Sequence, residues 1–233
     1  MIRLDNRLQC AYDMLLGAAT VADIGCDHGK LTVALLRSGA CNRVIAGDIS
    51  PACLNKARKI IERYRLHDRA EIRLGSGLTI LEPGECDAAA ILGMGGELMT
   101  ELLESSPQTA EQMNKLVLQP MSGIEELRQW LYDHTWHVIS DKLVNDGKRW
   151  YQLLCVKKSD RIDPWPESFP ENCWLVGYRS FLDRENGLDA YCREQLSKRL
   201  EWLTKAAGTA GEAKLSVEAR CLKEIIKETE GWN

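Results

Sequence analysis

Several features that would point to particular protein classes are missing from this sequence of 233 residues. It has no excess of basic charge, because 30 Lys and Arg face 34 Asp and Glu and the net charge is −4. This balance excludes a strongly basic nucleic-acid-binding chain, although it leaves room for a local basic patch. No apolar run approaches the length of a membrane span, and residues 1–5 contain no apolar signal core. We therefore predict a cytoplasmic protein that does not enter a membrane.

The nine cysteines lack any regular pattern. They are scattered, with no C-x-x-C pair and no spacing typical of metal ligands, and several lie in apolar runs. Such cysteines are typical of reduced, mostly buried thiols in a cytoplasmic protein. We therefore expect no disulfide framework and no metal site.

The first glycine turn lacks the three glycines of a dinucleotide-binding fingerprint. The apolar run 21–24 leads into residues 25–29, Gly-Cys-Asp-His-Gly, whose spacing is G-x-x-x-G rather than G-x-G-x-x-G. Asp27 inside this turn would repel a pyrophosphate. S-adenosylmethionine has no phosphate and carries a cationic amino group and a sulfonium, so Asp23 and Asp27 suit it. The alternative is an ordinary strand–helix turn in which Asp27 caps the helix.

A second apolar run, Val44-Ile-Ala-Gly-Asp48, ends in an acid, and the first run contains one, Asp23. Together the two runs form a β-α-β unit with a carboxylate at the tip of its second strand. A carboxylate in that place accepts both hydrogen bonds from a ribose diol. The unit predicts an adenosine-containing cofactor, and the acidic first turn favours S-adenosylmethionine over NAD. An NAD-dependent oxidoreductase is the rival in the same fold class.

Strand-like and helical segments alternate along residues 3–157. This alternation predicts an α/β protein with a Rossmann-like, doubly wound sheet of about seven strands, and Asp146-Gly147 indicates an antiparallel hairpin at one edge. The ligand site is expected beyond the carboxyl ends of the strands. The predicted strands are 20–25, 43–48, 69–74, 87–92, 115–119, 136–145 and 149–157. The predicted helices are 3–17, 29–38, 51–64, a segment after Gly96 through Leu103, and 123–133.

The chain changes character after residue 158. Residues 159–172 hold three prolines in a polar stretch, which indicates a linker between a cofactor-binding domain, 1–158, and a second domain, 173–233. Helical apolar spacing on both sides of 207–211 predicts a helical hairpin that resembles a coiled coil. The basic side chains of this hairpin are suited to binding RNA. Acids are as frequent there, so the alternative is that these helices present an ordinary solvated face. These side chains are Arg193, Lys198, Arg199, Lys205, Arg220, Lys223 and Lys227.

The motifs, taken in order, resemble the bacterial tRNA (adenine(22)-N1)-methyltransferase family. The resemblance spans roughly residues 3–157 and continues loosely into the tail. It implies a Rossmann-like methyltransferase domain followed by a coiled-coil domain, and methyl transfer from S-adenosylmethionine to N1 of an adenine in tRNA. The matching segments are Arg7-Leu-Gln9, Ala22-Asp-Ile-Gly-Cys-Asp-His28, Gly75-Ser-Gly-Leu78, Ile91-Leu-Gly-Met-Gly-Gly96, Leu118-Gln-Pro120, Leu127-Arg128, Asp146-Gly-Lys148 and Tyr151.

The same resemblance implies the site residues. Asp27 is the expected catalytic carboxylate, because adenine becomes cationic as the methyl arrives; binding the methionine amino group is its alternative role. Arg7 is expected to act at the active site by contacting a tRNA phosphate or Asp27, with an exposed surface arginine as the alternative. His28 is expected to bond to the backbone, with a proton shuttle as the alternative. The expected cofactor-binding residues are Asp23, Gly25, Cys26, Asp27, His28, Gly47, Asp48, Ile49, Gly75, Ser76, Gly77, Gly93, Met94 and Gly95. The expected substrate-binding residues are Arg7, Gly95, Gly96, Gln119 and Pro120.

The fourth predicted strand is not followed by Asn/Asp-Pro-Pro-aromatic, the motif common in methyltransferases that act on exocyclic amines. Residues 93–96, Gly-Met-Gly-Gly, stand there instead. No side-chain amide is available to hold an amino group, which argues against methylation of N6 and favours a ring nitrogen close to the backbone. The same glycines would also suit close packing at the start of a helix.

Three positions depart from the family pattern: Lys30, Ser76 and Asn145. Ser76 replaces an Asp that would accept a hydrogen bond from the cofactor's adenine, at a cost in affinity of roughly 1 kcal/mol. Two alternatives therefore stay open, a small-molecule methyltransferase and a non-catalytic homologue that binds S-adenosylmethionine or RNA. We expect an active, monomeric enzyme whose partner is tRNA.

Overall fold

A mixed sheet of seven strands runs through residues 1–162, the first of two units into which the chain divides. The computed structural model describes residues 2–161, 164–230 and 232. The strands are β1 (Thr20–Ile24), β2 (Arg43–Asp48), β3 (Ala70–Leu74), β4 (Ala88–Gly95), β5 (Lys115–Ser122), β6 (Trp136–Asn145) and β7 (Trp150–Lys158). Their order is β3-β2-β1-β4-β5-β7-β6, in which β1–β5 are parallel and β7 runs antiparallel to both β5 and β6. The predicted doubly wound sheet, closed at one edge by a hairpin, is confirmed.

Helices cover both faces of this sheet. They are α1 (Asn6–Leu15), α2 (Lys30–Ser38), α3 (Pro51–Arg63), α4 (Gly96–Glu104), α5 (Pro107–Glu111) and α6 (Ile124–Asp133). The strand order reverses direction between β1 and β4, and crossovers are right-handed. As a result α2 and α3 lie on one face, and α4 and α6 on the other. A short 3-10 helix, Gly77–Ile80, and α5 were not predicted.

Two strands extend further than their sequence predicts. The register between β4 and β5 shifts between Leu92 and Met94 and again at Gly95, and β5 continues through Pro120 to Ser122. A proline has no N–H for a sheet hydrogen bond, so we expected β5 to end there. It is tolerated because β7 pairs with β5 only over residues 116–118, and the facing part of β4 is irregular.

The face of α3 that meets the sheet is apolar. Leu54, Ala57 and Ile61 recur at helical spacing and are buried in one cluster with Val33 of α2 and Ala46 of β2. This packing determines which side of α3 faces the solvent.

The second unit, residues 163–233, contains α7 (Tyr178–Leu182), α8 (Leu188–Ala206) and α9 (Gly211–Thr229). The turn 207–210 joins α8 and α9, so the predicted helical pair is present, and Arg199 of α8 pairs with Glu218 of α9 at 2.9 Å. The first helix of this unit starts at Tyr178, five residues after the predicted start of the helical domain at Cys173. The coiled-coil geometry, the linker 159–172 and the limits of the domains stay predictions. Among the described residues, no helix has the length and hydropathy needed to cross a bilayer.

Candidate cofactor and active site

A pocket of about 390 Å³ lies at the carboxyl ends of β1 and β4, where the strand order of the sheet reverses. Such a position is the expected ligand site of a doubly wound sheet. We call it the β1–β4 pocket. Its lining comes from the start of α1, the first glycine turn, the start of α2 and the end of β4: Asp5, Arg7, Leu8, Asp23, Gly25, Cys26, Asp27, His28, Lys30, Leu31, Leu92, Gly93 and Met94.

The first glycine turn is tied to the second strand through its backbone. The N–H groups of Gly25 and Cys26 both donate to the carbonyl of Gly47, at 2.8 and 3.0 Å. Gly25 has φ +74°, and a Cβ there would lie 2.5 Å from the Met94 methyl carbon. Any side chain at this position would therefore be strained and would collide with the wall of the pocket.

Asp27 lies at the tip of this turn with its side chain 59% exposed. Its backbone has φ +45°, a left-handed conformation that Asp tolerates better than most residues. Partial burial raises the pKa of the Asp27 carboxyl, but the hydrogen bond and charge of His28, with contributions from Cys53 and Lys56, outweigh burial and leave it below its usual value. The carboxylate is thus ionised at neutral pH.

The prediction that His28 bonds to the backbone is wrong. Its Nδ1 contacts the Asp27 carboxylate oxygen Oδ2 instead. An imidazole that donates to this oxygen stabilises the ionised form of the carboxylate, which lines the pocket. The sequence contained a signal for this contact, because the two residues are neighbours. It contained no signal for the unusual φ of Asp27.

Asp48 stands beside the first turn. Its Oδ2 accepts from the backbone N–H of Asp27 at 3.3 Å and its Oδ1 from that of Ser50 at 2.8 Å. The carbonyl of Asp48 accepts from the N–H of Gly75 at 3.1 Å, so the ends of β2 and β3 form one rim with the turn. Ile49 on this rim is 73% exposed. The predicted residues Gly47, Asp48, Ile49, Gly75, Ser76 and Gly77 are not part of the lining of the β1–β4 pocket.

Asp23 is an almost fully buried acid, 4% exposed, at the floor of the pocket. Burial raises its pKa to about 6, although hydrogen bonds from the hydroxyl and the N–H of Thr32, at 2.6 and 3.2 Å, oppose the shift. The nearby charge of Asp48 adds to the increase. Asp23 therefore titrates close to physiological pH, and a cation in the pocket would favour its ionised form.

Arg7 reaches the pocket from α1, but its hydrogen bond does not go to Asp27. Its Nη1 donates to Oε1 of Gln119 at 2.8 Å, and its guanidinium carbon lies 5.7 Å from the Tyr151 ring centroid. Gln119 is fully buried, and Pro120 is buried beside it. Gln119 and Pro120, which were predicted to bind substrate at the end of β5, are thus buried residues. Gln119 contacts Arg7 and orients its guanidinium.

Gly95 and Gly96 face a second pocket, of about 780 Å³, between the starts of α4 and α6. A Cβ on Gly96 would lie 2.0 Å from the carbonyl oxygen of Gly123, so this glycine is required by close packing. We call this space the α4–α6 pocket, and its lining is Gly95, Gly96, Glu97, Leu98, Thr100, Ser122, Gly123, Glu125, Glu126 and Trp130.

Sequence reasoning did not predict five residues of the pocket lining, Asp5, Leu8, Lys30, Leu31 and Leu92, nor Thr32, which holds Asp23. Asp5 lines the pocket and caps α1 by accepting from the N–H of Leu8 at 2.8 Å; an acid three residues before a helical apolar run was the available signal. Thr32 had no comparable signal, because its partner Asp23 lies nine residues away. Within the described residues, no group of three or more His, Cys, Asp or Glu is placed to hold a metal ion.

The strand order, the glycine turns that follow β1 and β3, and the glycines at the end of β4 define the class of the protein as a Rossmann-like methyltransferase. In agreement, the family model described as a methyltransferase domain matches residues 4–154.

The relatives narrow the class. The chain is 30% identical over 232 residues to the tRNA (adenine(22)-N(1))-methyltransferase of Bacillus subtilis, covering 97% of both chains. The crystal structure of the B. subtilis M1A22 tRNA methyltransferase TrmK superposes with a TM-score of 0.82 at 26% identity, covering 97% of this chain and 100% of that one. M. capricolum TrmK in complex with S-adenosyl-homocysteine shares the fold, with a TM-score of 0.81 at 21% identity and coverage of 96% and 98%. The chain belongs to the tRNA (adenine(22)-N(1))-methyltransferase family.

Proposed function

We propose that the protein transfers a methyl group from S-adenosylmethionine to N1 of an adenine in tRNA. One observation carries the proposal: a pocket at the switch point of the sheet, with Asp23 and Asp27 in its wall and Asp48 beside it, in a chain of this family. The name of the B. subtilis relative supports the substrate and the position of the methylated base.

The residues of the site fit S-adenosylmethionine. When bound, this cofactor supplies an electrophilic methyl group on a cationic sulfur. Each carboxylate oxygen of Asp48 accepts only one backbone hydrogen bond, so both keep a lone pair for a ribose diol. Asp5, Asp23 and Asp27 surround the pocket with carboxylates that attract a cationic ligand, and exposed Ile49 offers an apolar surface to an adenine ring.

Asp27 is the proposed catalytic residue. Adenine N1 has its own lone pair, so no base is needed, and the chain's task is to align N1 and to stabilise the charge that develops on the ring. The Asp27 carboxylate is ionised, exposed towards the pocket and held by His28. Arg7, which Gln119 orients, retains guanidinium N–H groups for a phosphate of the substrate.

The partner is proposed to be a whole tRNA. N1 lies on the Watson–Crick edge, so a paired adenine must be turned out of its helix at a cost of a few kcal/mol, which distributed phosphate contacts offset. We also propose that the enzyme acts as a monomer in the cytoplasm, where its nine free thiols stay reduced.

The decisive experiment incubates the protein with unmodified tRNA and methyl-labelled S-adenosylmethionine, followed by nucleoside analysis. We expect the label in 1-methyladenosine, and we expect the Asp27→Asn protein, as the control, to incorporate far less. Label in no nucleoside, or only in N6-methyladenosine, would contradict the proposal. Calorimetry with S-adenosylhomocysteine and with NADH completes the test, because binding of NADH alone would favour an oxidoreductase.

A further inference from the structure

The charge of the first unit is distributed unevenly between the two faces of its sheet. Residues 30–65, which contain α2 and α3, hold eight Lys and Arg against two Asp and Glu, a net charge of +6 in a chain whose total is −4. Residues 96–133, which contain α4 and α6, hold seven acids against two basic residues, a net charge of −5. A polyanion that approaches this unit is therefore attracted to one face and repelled by the other.

The positive charge on α3 is organised along one line. Lys56, Lys59 and Arg63 recur at spacings of three and four residues, so they share a face of the helix. Each stands two residues after a buried apolar position of α3, which places the line opposite the face packed on the sheet, and all three side chains are exposed. We call these three residues the basic stripe. At about 1.5 Å per residue it extends for roughly 10 Å.

The basic stripe begins next to the active site. Lys56 is close enough to Asp27 for its charge to stabilise that carboxylate. Lys30, at the start of α2, lines the β1–β4 pocket itself, and Arg37 at the end of α2 lies over the ring of Tyr64 just beyond α3, 4.6 Å from its centroid. Cations therefore continue from the wall of the pocket outwards along two neighbouring helices.

Among the described residues, the side chains of the stripe are also not engaged in ion pairs, although Lys56 acts on Asp27 at longer range. In the tail, by contrast, Lys198 and Lys205 pair with Glu194 and Glu201 at 2.7 and 2.6 Å. An unpaired lysine or arginine releases the counterions of a phosphate on contact, whereas a paired one must first give up its carboxylate.

We propose that the basic stripe on α3 binds the phosphate backbone of the tRNA next to the target adenine, so that the substrate approaches over the α2–α3 face. This inference rests on the proposed function for the identity of the RNA. The α4–α6 pocket, with Glu97, Glu125 and Glu126 in its lining, repels the backbone on the other side. The sign of the charge thus orients the tRNA before its base enters the β1–β4 pocket.

The test measures equilibrium binding of unmodified tRNA by fluorescence anisotropy, in the presence of S-adenosylhomocysteine and at several salt concentrations. The variant combines Lys56→Gln, Lys59→Gln and Arg63→Gln, since glutamine is a good helix former and should preserve α3. We expect its affinity to fall by about tenfold or more at ~0.1 M salt, and the slope of log K against log salt to decrease by about two to three, close to one per lost phosphate contact. Unchanged calorimetric binding of S-adenosylhomocysteine would show that the fold and pocket are intact.

The matched control combines Lys198→Gln, Lys205→Gln and Lys227→Gln, which removes the same charge from the tail helices. The proposal is overturned if the stripe variant binds tRNA with the affinity and salt slope of the parent, or weakens no more than this control. It is also overturned if the stripe is needed for binding phosphatidylglycerol vesicles but not tRNA. The proposed function is tested separately. If the parent protein methylates tRNA but the stripe variant binds tRNA normally, only the role of the stripe is contradicted. A parent that binds tRNA through the stripe without methylating it contradicts only the function.

Discussion

Asp27 and Asp48 lie 21 residues apart in the sequence but side by side in the structure, and their surroundings differ. Asp27 is exposed at the pocket and bonded to a side chain, while Asp48 accepts two backbone N–H groups at the tip of β2. The hydrogen bond from the Asp27 N–H to Asp48 joins the two positions. Substitution of Asp27 should therefore leave the turn in place, whereas substitution of Asp48 also removes the acceptor of two backbone N–H groups.

We expect Asp27→Asn to reduce kcat by about 100-fold or more, the usual effect of removing one charge-stabilising group, while the Kd for S-adenosylmethionine changes little. Asn is chosen because it tolerates the φ of +45° at this position, which would strain Ala. Asp48→Ala should behave in the opposite way and weaken cofactor binding by about tenfold or more, because it removes charged hydrogen bonds to a ribose. Single-turnover rates and calorimetry measure the two effects. If Asp27→Asn loses cofactor affinity in step with its rate, Asp27 binds the cofactor and is not catalytic.

Asp23 should make cofactor binding depend on pH. Its carboxyl is neutral below its pKa of about 6 and ionised above it, and only the ionised form attracts a cation. The affinity for S-adenosylmethionine should therefore increase by up to about tenfold between pH 5 and pH 7. Calorimetry at several pH values tests this, with Asp23→Asn as the control that should remove the dependence. A flat profile for the parent protein would contradict the assignment.

The same raised pKa of Asp23 makes the stability of the ligand-free protein decrease as the pH rises, whereas the affinity for the cofactor increases. The Asp23 carboxyl has a usual pKa of 3.8, which rises to about 6 in the folded state. Between these values the unfolded chain has already lost the proton that the folded chain keeps. The contribution of this group to the free energy of unfolding is thus complete below about pH 4 and is lost as the pH rises through 6.

At the scale of elements, the junction of β4 and α4 depends on a single glycine. Gly96→Ala would place a methyl group 2.0 Å from the backbone carbonyl oxygen of Gly123, and a backbone atom cannot move aside as a flexible side chain can. We expect a loss of about 1–3 kcal/mol in the free energy of unfolding, measured by urea denaturation. Gly95→Ala is the matched control, because its methyl would lie 3.5 Å from the Ser122 hydroxyl and its φ is −72°. Equal stability of the two variants would show that α4 and α6 can separate at low cost.

At the scale of the whole molecule, the structure predicts how the thiols react. All nine cysteines are free; seven are buried, and only Cys10 and Cys53 are partly exposed. Titration with a thiol reagent should modify no more than these two quickly in the native protein, and all nine after denaturation without reductant. Fewer than nine in the denatured protein would reveal a disulfide and contradict the proposed cytoplasmic location. The seven buried thiols should react only as fast as the protein opens.

The sequence by itself determined the order of the strands and of the main helices, and the cofactor class. These follow from local rules: apolar runs of strand length, glycines where the chain must turn, and acids at strand ends, which meet at one edge of a parallel sheet. Its error at Pro120 arose where pairing across the sheet, which is not local, decided the conformation.

Only the tertiary structure decided which residues meet. It joined Arg7 to Gln119, 112 residues away, rather than to Asp27, and it buried Gln119 behind the site. It also brought the cations of α2 and α3 to one face and the acids of α4 and α6 to the other, although the whole chain is nearly balanced. The physical reason is the same in each case: hydrogen bonds, burial and charge act over a few ångströms in space, and only the folded chain brings residues distant in sequence within that range.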